Sequence, residues 1–206
     1  MTFNLMHGDC LDRMKEIPDG SVDMVLADPP YGSTQCAWDS IIPLEPMWKE
    51  LKRAIKPNGA VVMTASQPFT SILVSSNLKM FKYDWVWKKS RPTGVLNAKR
   101  QVLRNKEDVL VFYRQQCTYN PQGLSKINKM VGTGATIANQ NGNATGKIKQ
   151  TESGKYLQEN GNYPRQIIEF NSEGSTVHPT QKPVALMEYL IKTYTNEGET
   201  VLDFTM

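Results

Sequence analysis

Cysteine and histidine are scarce. Cys10, Cys36 and Cys117 are the only thiols among 206 residues, and His7 and His178 are the only imidazoles. Three cysteines, odd in number and far apart, argue against a disulfide framework and for a reducing compartment. With so few soft ligands and no spaced cluster of them, a structural zinc site is not expected, and no metal is assigned. Also lacking is any apolar run near the roughly 18 residues that cross a bilayer. The opening Met1-Thr-Phe-Asn-Leu-Met-His-Gly-Asp9 has neither the basic region nor the apolar stretch of a signal peptide. Membrane and secreted classes are therefore set aside. Charge of one sign is not in excess either: 24 Lys+Arg face 20 Asp+Glu, a net of +4.

What is present suffices for one ordinary domain, or one domain with a modest insertion. Apolar residues make up 39% and charged residues 21% of a 23.2 kDa chain, enough to build a core. The distribution of charge says more than its sum. From Lys88 to Lys106 there are seven basic residues (Lys88, Lys89, Arg91, Lys99, Arg100, Arg104, Lys106) and no acid. Such a stretch is either an electrostatic footprint for phosphates or a solvated loop, and charge alone does not choose between them.

The first third alternates strand and helix patterns. Phe3 to Met6 is a short apolar run that reads as a strand ending at Gly8-Asp9, and Leu11, Met14 and Ile17 recur at helical spacing before Pro18-Asp19-Gly20. Val22 to Ala27 is almost continuously apolar, as in a parallel strand buried on both faces. Pro46 to Ile55 predicts a helix; Ala60 to Ala65, Tyr83 to Trp87 and Asp108 to Tyr113 predict further strands. This alternation predicts an α/β sheet with parallel strands. Between Gln115 and about Asn171 Asn, Gln, Gly, Thr and Lys dominate, and so polar a stretch cannot offset its own ordering entropy. It is expected to be a mobile insertion, ordered by packing on the core or by a partner. A third regime opens at His178-Pro-Thr-Gln-Lys-Pro183, followed by a helix carrying Val184 to Tyr194 and a strand from Thr200 to Phe204.

The sharpest chemical feature is Asp28-Pro29-Pro30-Tyr31, directly after the buried Val22–Ala27 run. Ligands of open α/β sheets sit at the carboxyl edge of the strands. Two prolines stiffen the loop, so a carboxylate and a backbone carbonyl are held with little entropy left to lose. An aromatic face stands beside them. Two acceptors and a ring suit a planar amine. The competing reading is a rigid strand-ending turn with a solvated aspartate.

Leu26-Ala-Asp28-Pro-Pro-Tyr31-Gly resembles motif IV of the amino-group DNA methyltransferases, which methylate adenine N6 or cytosine N4 with S-adenosylmethionine (AdoMet). Gly8-Asp9-Cys10 resembles their motif III, His178-Pro-Thr-Gln-Lys-Pro183 their motif X, and Val201-Leu-Asp203-Phe204 the opening of their motif I. Asn97-Ala-Lys-Arg100 through Glu107 to Tyr113 is similar to their late catalytic strands. This order is that of the permuted β class. The resemblance implies a circularly permuted, Rossmann-like, AdoMet-dependent methyltransferase sheet. Its parts would be a catalytic half over 1–114, a target-recognition insertion over 115–177 and the start of an AdoMet-binding half over 178–206.

Carried onto this sequence, the resemblance implies that Asp28 and the Pro29 carbonyl accept from the target amine while the Pro30-stiffened loop holds Tyr31 to stack on a flipped base. Two acceptors on the N–H groups favour a more tetrahedral nitrogen and stabilise the charge that develops on it. Asp9 and Cys10, His178, Thr180, Gln181 and Lys182, and Asp203 and Phe204 would line the AdoMet site. Asp9 reads equally as a helix N-cap, and Thr180 to Lys182 as a proline-flanked helix entry. Lys88, Arg91, Lys99, Arg100 and Arg104 would contact the backbone of double-stranded DNA, and polar residues of the insertion would read base edges.

Asp at the first motif position favours adenine N6 over cytosine N4; the rivals are the cytosine-N4 activity and a non-catalytic DNA-binding remnant. Motif I ordinarily continues into a glycine-rich turn, and the sequence stops at Asp203-Phe-Thr-Met206 before one. That reads as a fragment with weak or no AdoMet binding by itself and with two unpaired sheet edges. Family habit further implies a cytoplasmic enzyme of bacterial or phage origin, of the restriction-modification kind, and allows a homodimer.

Overall fold

The computed structural model describes residues 3–34, 36, 39–132, 155–173 and 180–205. The chain divides into two units, one formed by 1–120 with 165–206 and the other by 121–164.

The larger unit is a six-stranded sheet. Its strands are β1 (Val22–Ala27), β2 (Ile55–Ala65), β3 (Phe81–Thr93), β4 (Arg104–Phe112), β7 (Ile167–Phe170) and β8 (Val201–Leu202). Their spatial order is β7-β3-β4-β2-β1-β8. β1 pairs parallel with β2 and β8, and β3 pairs parallel with β7. β4 pairs antiparallel with both β2 and β3. The expectation of an α/β sheet holds, with one reversal. β3 and β4 are sheet neighbours joined only by residues 94–103, which include the short 3₁₀ turn Val95–Asn97. A connection of that length cannot carry the chain back for a parallel pairing.

Both faces of the sheet are covered, which explains the uninterrupted apolar run of β1. Val25 and Ala27 point into one core with Met47, Trp48, Leu51, Phe69, Leu73 and Phe112. Met24 and Leu26, one residue out of phase, point into the other with Trp85, Trp87, Leu186, Leu190 and Tyr194. Three helices supply the first cover: α1 (Cys10–Met14), α2 (Leu44–Ala54) and α3 (Phe69–Ser76). α4 (Val184–Tyr194) contributes to the second. α2 buries Met47, Trp48, Leu51 and Ala54, a stripe at i, i+1, i+4 and i+7 that faces the sheet. Met47 and Leu51 each contribute about 1.5–3 kcal/mol on leaving water. The polar ends of the second core are matched too: Trp85 Nε1 donates to Tyr194 Oη at 2.7 Å, and Tyr83 Oη lies 2.9 Å from the same hydroxyl.

The amino-terminal strand does not form. Residues 3–8 carry no strand, with Phe3 78% and Leu5 74% exposed. No described strand pairs with them, and so short a run has no face to bury by itself. The last strand is also shorter than expected, two residues in place of Thr200 to Phe204.

The smaller unit, Pro121–Pro164, contains an antiparallel pair, β5 (Ser125–Gly132) and β6 (Lys155–Gly161). It lies within the polar stretch from Gln115 to about Asn171, whose end, Ile167–Phe170, pairs with β3 in the main sheet. The polar run over 133–146 lies outside the described residues.

Where β2 meets β1 the register shifts between Val22 and Met24, and Gly59 closes the irregularity. A Cβ there would stand 2.7 Å from the Asp23 carbonyl oxygen and 2.5 Å from Ile55 Cγ1. Backbone cannot yield as a flexible side chain would. Gly59→Ala is expected to destabilise the protein by about 1–3 kcal/mol, read as a lower urea midpoint at unchanged m-value.

Candidate active site

Parallel strands end together, so β1, β2, β3 and β8 bring their last residues to one edge of the sheet. The antiparallel β4 brings its first residues there as well: Asp108 stands opposite Ala65 of β2, and Glu107 opposite Trp87 of β3. Asp28 follows β1 directly at this edge.

Its carboxylate is held by three donors. Tyr31 Oη donates to Oδ1 at 2.8 Å, Thr64 Oγ1 of β2 donates to the same oxygen, and Lys182 Nζ donates to Oδ2 at 2.6 Å. Glu107 extends the cluster: Oε1 pairs with Lys89 Nζ at 2.9 Å, and Oε2 lies 3.4 Å from Lys182 Nζ. The Lys182 side chain is 8% exposed, Lys89 11%, Glu107 14% and Asp28 28%. Two ammonium groups and two carboxylates thus balance each other, as burial of charge requires. A parallel pair stands beside it, Lys106 Nζ and Thr70 Oγ1 both donating to the buried Asp108, at 2.5 and 2.9 Å.

Tyr31 is half-buried and its ring stacks on Phe69, centroids 5.5 Å apart. Burial first, and then the Asp28 and Glu107 charges, hold its phenol far above the ordinary range. It therefore remains a neutral donor to Asp28.

The loop after Tyr31 is fixed by Asp39. Gly32 N and Ser33 N donate to its carboxylate at 2.9 Å each, and Thr34 N at 2.6 Å. Gly32 takes a left-handed conformation, φ 64°, where an added Cβ would press on Ile41. Burial disfavours the Asp39 charge, but the Thr34 hydroxyl and the three backbone N–H groups outweigh it and lower the carboxyl below the usual range.

The other residues singled out in the sequence fall in several places. Asp9 caps α1, its Oδ1 accepting from Leu11 N at 2.8 Å, while Oδ2 has no partner among the described residues. Cys10 is half-buried against the first core, and burial, then the Asp9 charge, raises its thiol. Asp203 directly follows β8; its Oδ1 accepts from Thr205 N at 2.9 Å and Thr205 Oγ1 at 2.7 Å, leaving Oδ2 without a partner among the described residues. Surrounding protein raises its carboxyl, and the charge of Asp28 adds to the rise. Phe204 is buried in the first core and Thr180 is exposed, with Gln181 half-buried. His178 lies outside the described residues. Two carboxylate oxygens at helix and strand ends suit the amine and hydroxyl donors of a nucleoside, so Asp9 and Asp203 fit a group such as AdoMet.

The basic stretch is divided. Lys89 turns inward to Glu107, the more exposed Lys106 pairs with Asp108, and Lys88 pairs with Glu169 at 2.8 Å. Arg91, Lys99, Arg100 and Arg104 are exposed and make no ion pair among the described residues. Thr64 and Asp39 carry no motif of their own, and Glu107 and Lys89 were read only as parts of a strand and of a basic run; strand register brings Thr64 to Asp28 and Glu107 to Lys89.

The chain matches the family described as N6_N4_Mtase, DNA methylase, over residues 22–206. It is 26% identical to the DNA adenine methyltransferase YhdJ of Escherichia coli K12 over 214 residues, covering 97% of this chain and 69% of that protein. It is 23% identical to the type II methyltransferase M.HpaI of Haemophilus parainfluenzae, covering 98% of this chain and 63% of that protein. In fold it is similar to the M1.HpyAVI–SAM complex, with TM-score 0.58, 24% identity and coverage of 96% of this chain and 80% of that one. It is also similar to the cytosine-N4-specific PvuII DNA methyltransferase, with TM-score 0.59, 14% identity and coverage of 95% and 71%.

Asp39 generates a pH prediction. Its folded carboxyl is lowered, so it stabilises the loop above the unfolded value near pH ~3.9, and that contribution is lost as pH falls through the lower folded value. Asp39→Asn is expected to cost about 1–3 kcal/mol near neutrality. Urea midpoints measured against pH should converge for the two proteins only as pH falls through the lowered folded value of Asp39, below which neither side chain is charged.

Proposed function

We infer the reaction from the family as premise: the chain belongs to the N6/N4 DNA methylases, and Asp28 with the Pro29 carbonyl forms the acceptor pair for a target amine in DNA. The observation that carries this reading is the Asp28 carboxylate, held by three donors at the carboxyl edge of a two-sided sheet. The target is adenine N6. An aspartate begins the Asp28–Tyr31 motif, and the E. coli relative bears the name of an adenine methyltransferase. The order of motifs supports the permuted β class, with the acceptor loop early in the chain and the residues assigned to AdoMet from Thr180 onward. The site of action is the bacterial cytoplasm, where DNA is; no helix among the described residues is long and apolar enough to cross a membrane.

The methyl donor is AdoMet, which supplies an already activated methyl on a sulfonium. Asp9, Asp203, Thr180 and Gln181 would hold it. The chain's own task is placement. An adenine amine is a poor nucleophile because its lone pair is delocalised into the ring. Asp28 and the Pro29 carbonyl accept its two N–H groups, favour a tetrahedral nitrogen and stabilise the charge that grows there. Thr64 and the neutral Tyr31 hydroxyl keep the Asp28 oxygen from rotating, and Asp39 keeps the loop that carries Tyr31 in place. Tyr31, backed by Phe69, stacks on a base taken out of the duplex. Such stacking is worth about 1–3 kcal/mol and offsets much of the flipping cost. No covalent nucleophile is required of the protein.

Incubating the full-length protein with labelled AdoMet and unmethylated DNA, then digesting to nucleosides, is expected to place label in N6-methyladenine. Asp28→Asn should lower turnover by about 10²–10³. Label in N4-methylcytosine would overturn the base assignment and keep the site. Salt-sensitive DNA binding with no label would replace the enzyme by a DNA-binding remnant.

The exposed cations Arg91, Lys99, Arg100 and Arg104 flank the turn at Val95–Asn97, whose Leu96 is fully exposed. They are the phosphate contacts of this reading. Replacing all four by Ala should reduce the slope of log affinity against log salt by about three to four. Lys89→Ala should not act through this slope, since its charge is spent on Glu107.

A further inference from the structure

Lys182 belongs to a segment that the sequence assigns to the cofactor, yet its ammonium stands at the acceptor of the target amine. Nζ is 2.6 Å from Asp28 Oδ2 and 5.5 Å from the centroid of the Tyr31 ring. A base amine bonded to Asp28 beside Tyr31 would meet the same two groups. An incoming amine would have to share Oδ2 with a cation that already occupies it at 2.6 Å. The ammonium would also oppose catalysis if it stayed, because positive charge grows on the accepting nitrogen as the methyl arrives.

A second acceptor is ready for it. Glu107 Oε2 is buried and has no hydrogen-bond partner, although Lys89 satisfies Oε1 at 2.9 Å. A buried carboxylate oxygen left open is unusual and calls for a reason. It lies 3.4 Å from Lys182 Nζ. A charge-assisted hydrogen bond spans about 2.8 Å, so a movement of well under ~1 Å would complete it.

We propose that Lys182 is a positioning residue that stands in for the target amine: its ammonium holds Asp28 in the free protein and passes to Glu107 Oε2 when the base enters. Before DNA arrives it keeps the Asp28 carboxylate oriented and its charge balanced. After transfer to Glu107 it remains buried with a partner, its charge neutralised by that carboxylate, and its bond to Asp28 Oδ2 is loosened so that the oxygen can accept the amine. The inference rests on the reading of Asp28 as the acceptor of the target amine.

The test is the ammonium resonance of Lys182 in a ¹H–¹⁵N spectrum of the full protein, assigned through Lys182→Arg. In the free protein Asp28→Asn removes the charged acceptor, leaves Glu107, and should move the resonance. Unmethylated DNA added to the wild type is expected to move it in the same direction. If DNA that the protein methylates leaves the resonance where it stood, the stand-in role is overturned and the reading of Asp28 survives. If the protein methylates no DNA and DNA leaves the resonance unmoved, both fall. In steady state, Glu107→Asp shortens the second acceptor and should lower kcat at least tenfold with the KM for AdoMet changed by less than twofold. A rise in that KM with kcat kept would return Lys182 to the cofactor and overturn the proposal.

Discussion

β4 lies between β2 and β3 and runs against both, so its first residues arrive at the edge where β1, β2, β3 and β8 finish. The charge arrangement at the site depends on this reversal. A fully parallel sheet would end every strand there with the residues that follow it. Here Glu107 and Asp108 enter the same edge from the opposite direction, within reach of Lys89, Lys106 and Lys182. Glu107 thereby comes to share with Asp28 the buried ammonium of Lys182, a cation that the Asp28 loop does not contain.

Burying charge is costly unless each group is paired and hydrogen-bonded. The structure meets that cost with pairs linking distant parts of the chain, Lys182 with Asp28 and Lys89 with Glu107. Such pairs are poor sources of net stability, and hydrophobic residues of similar volume would often serve the fold as well. Their retention at a strand edge is better explained by what they hold. Thr64, Tyr31 and Lys182 leave the Asp28 carboxylate little freedom, and Asp39 fastens the following turn through three backbone N–H groups. An acceptor that is already oriented loses little entropy when its donor arrives.

Much of the fold was legible because burial leaves a pattern. β1 was read from an apolar run covered on both faces, α2 from its helical stripe, and α4 from the same periodicity after Pro183. Strand direction was not legible, since β4 has the composition of any buried strand and only its short connection to β3 reverses it. The run Phe3–Met6 misled for the opposite reason: apolar residues make a strand only where a neighbour can pair with them. The return of Ile167–Phe170 to the sheet was hidden in a polar context, because four residues at an edge need little apolar character.

The site divides in the same way. The loop Asp28-Pro-Pro-Tyr31 and its position after a buried strand follow from the residues alone, because proline stiffness and strand burial are local properties. So does the basic character of the segment 88–106. Which of those cations are spent on ion pairs depends on the packing, since Lys89 is turned inward to Glu107 on the neighbouring strand β4. Only the tertiary structure brought Lys182 to Asp28, across 154 positions of chain. Ion pairs over such separations follow from strand order and register, and neither is written in the residues that the pair joins.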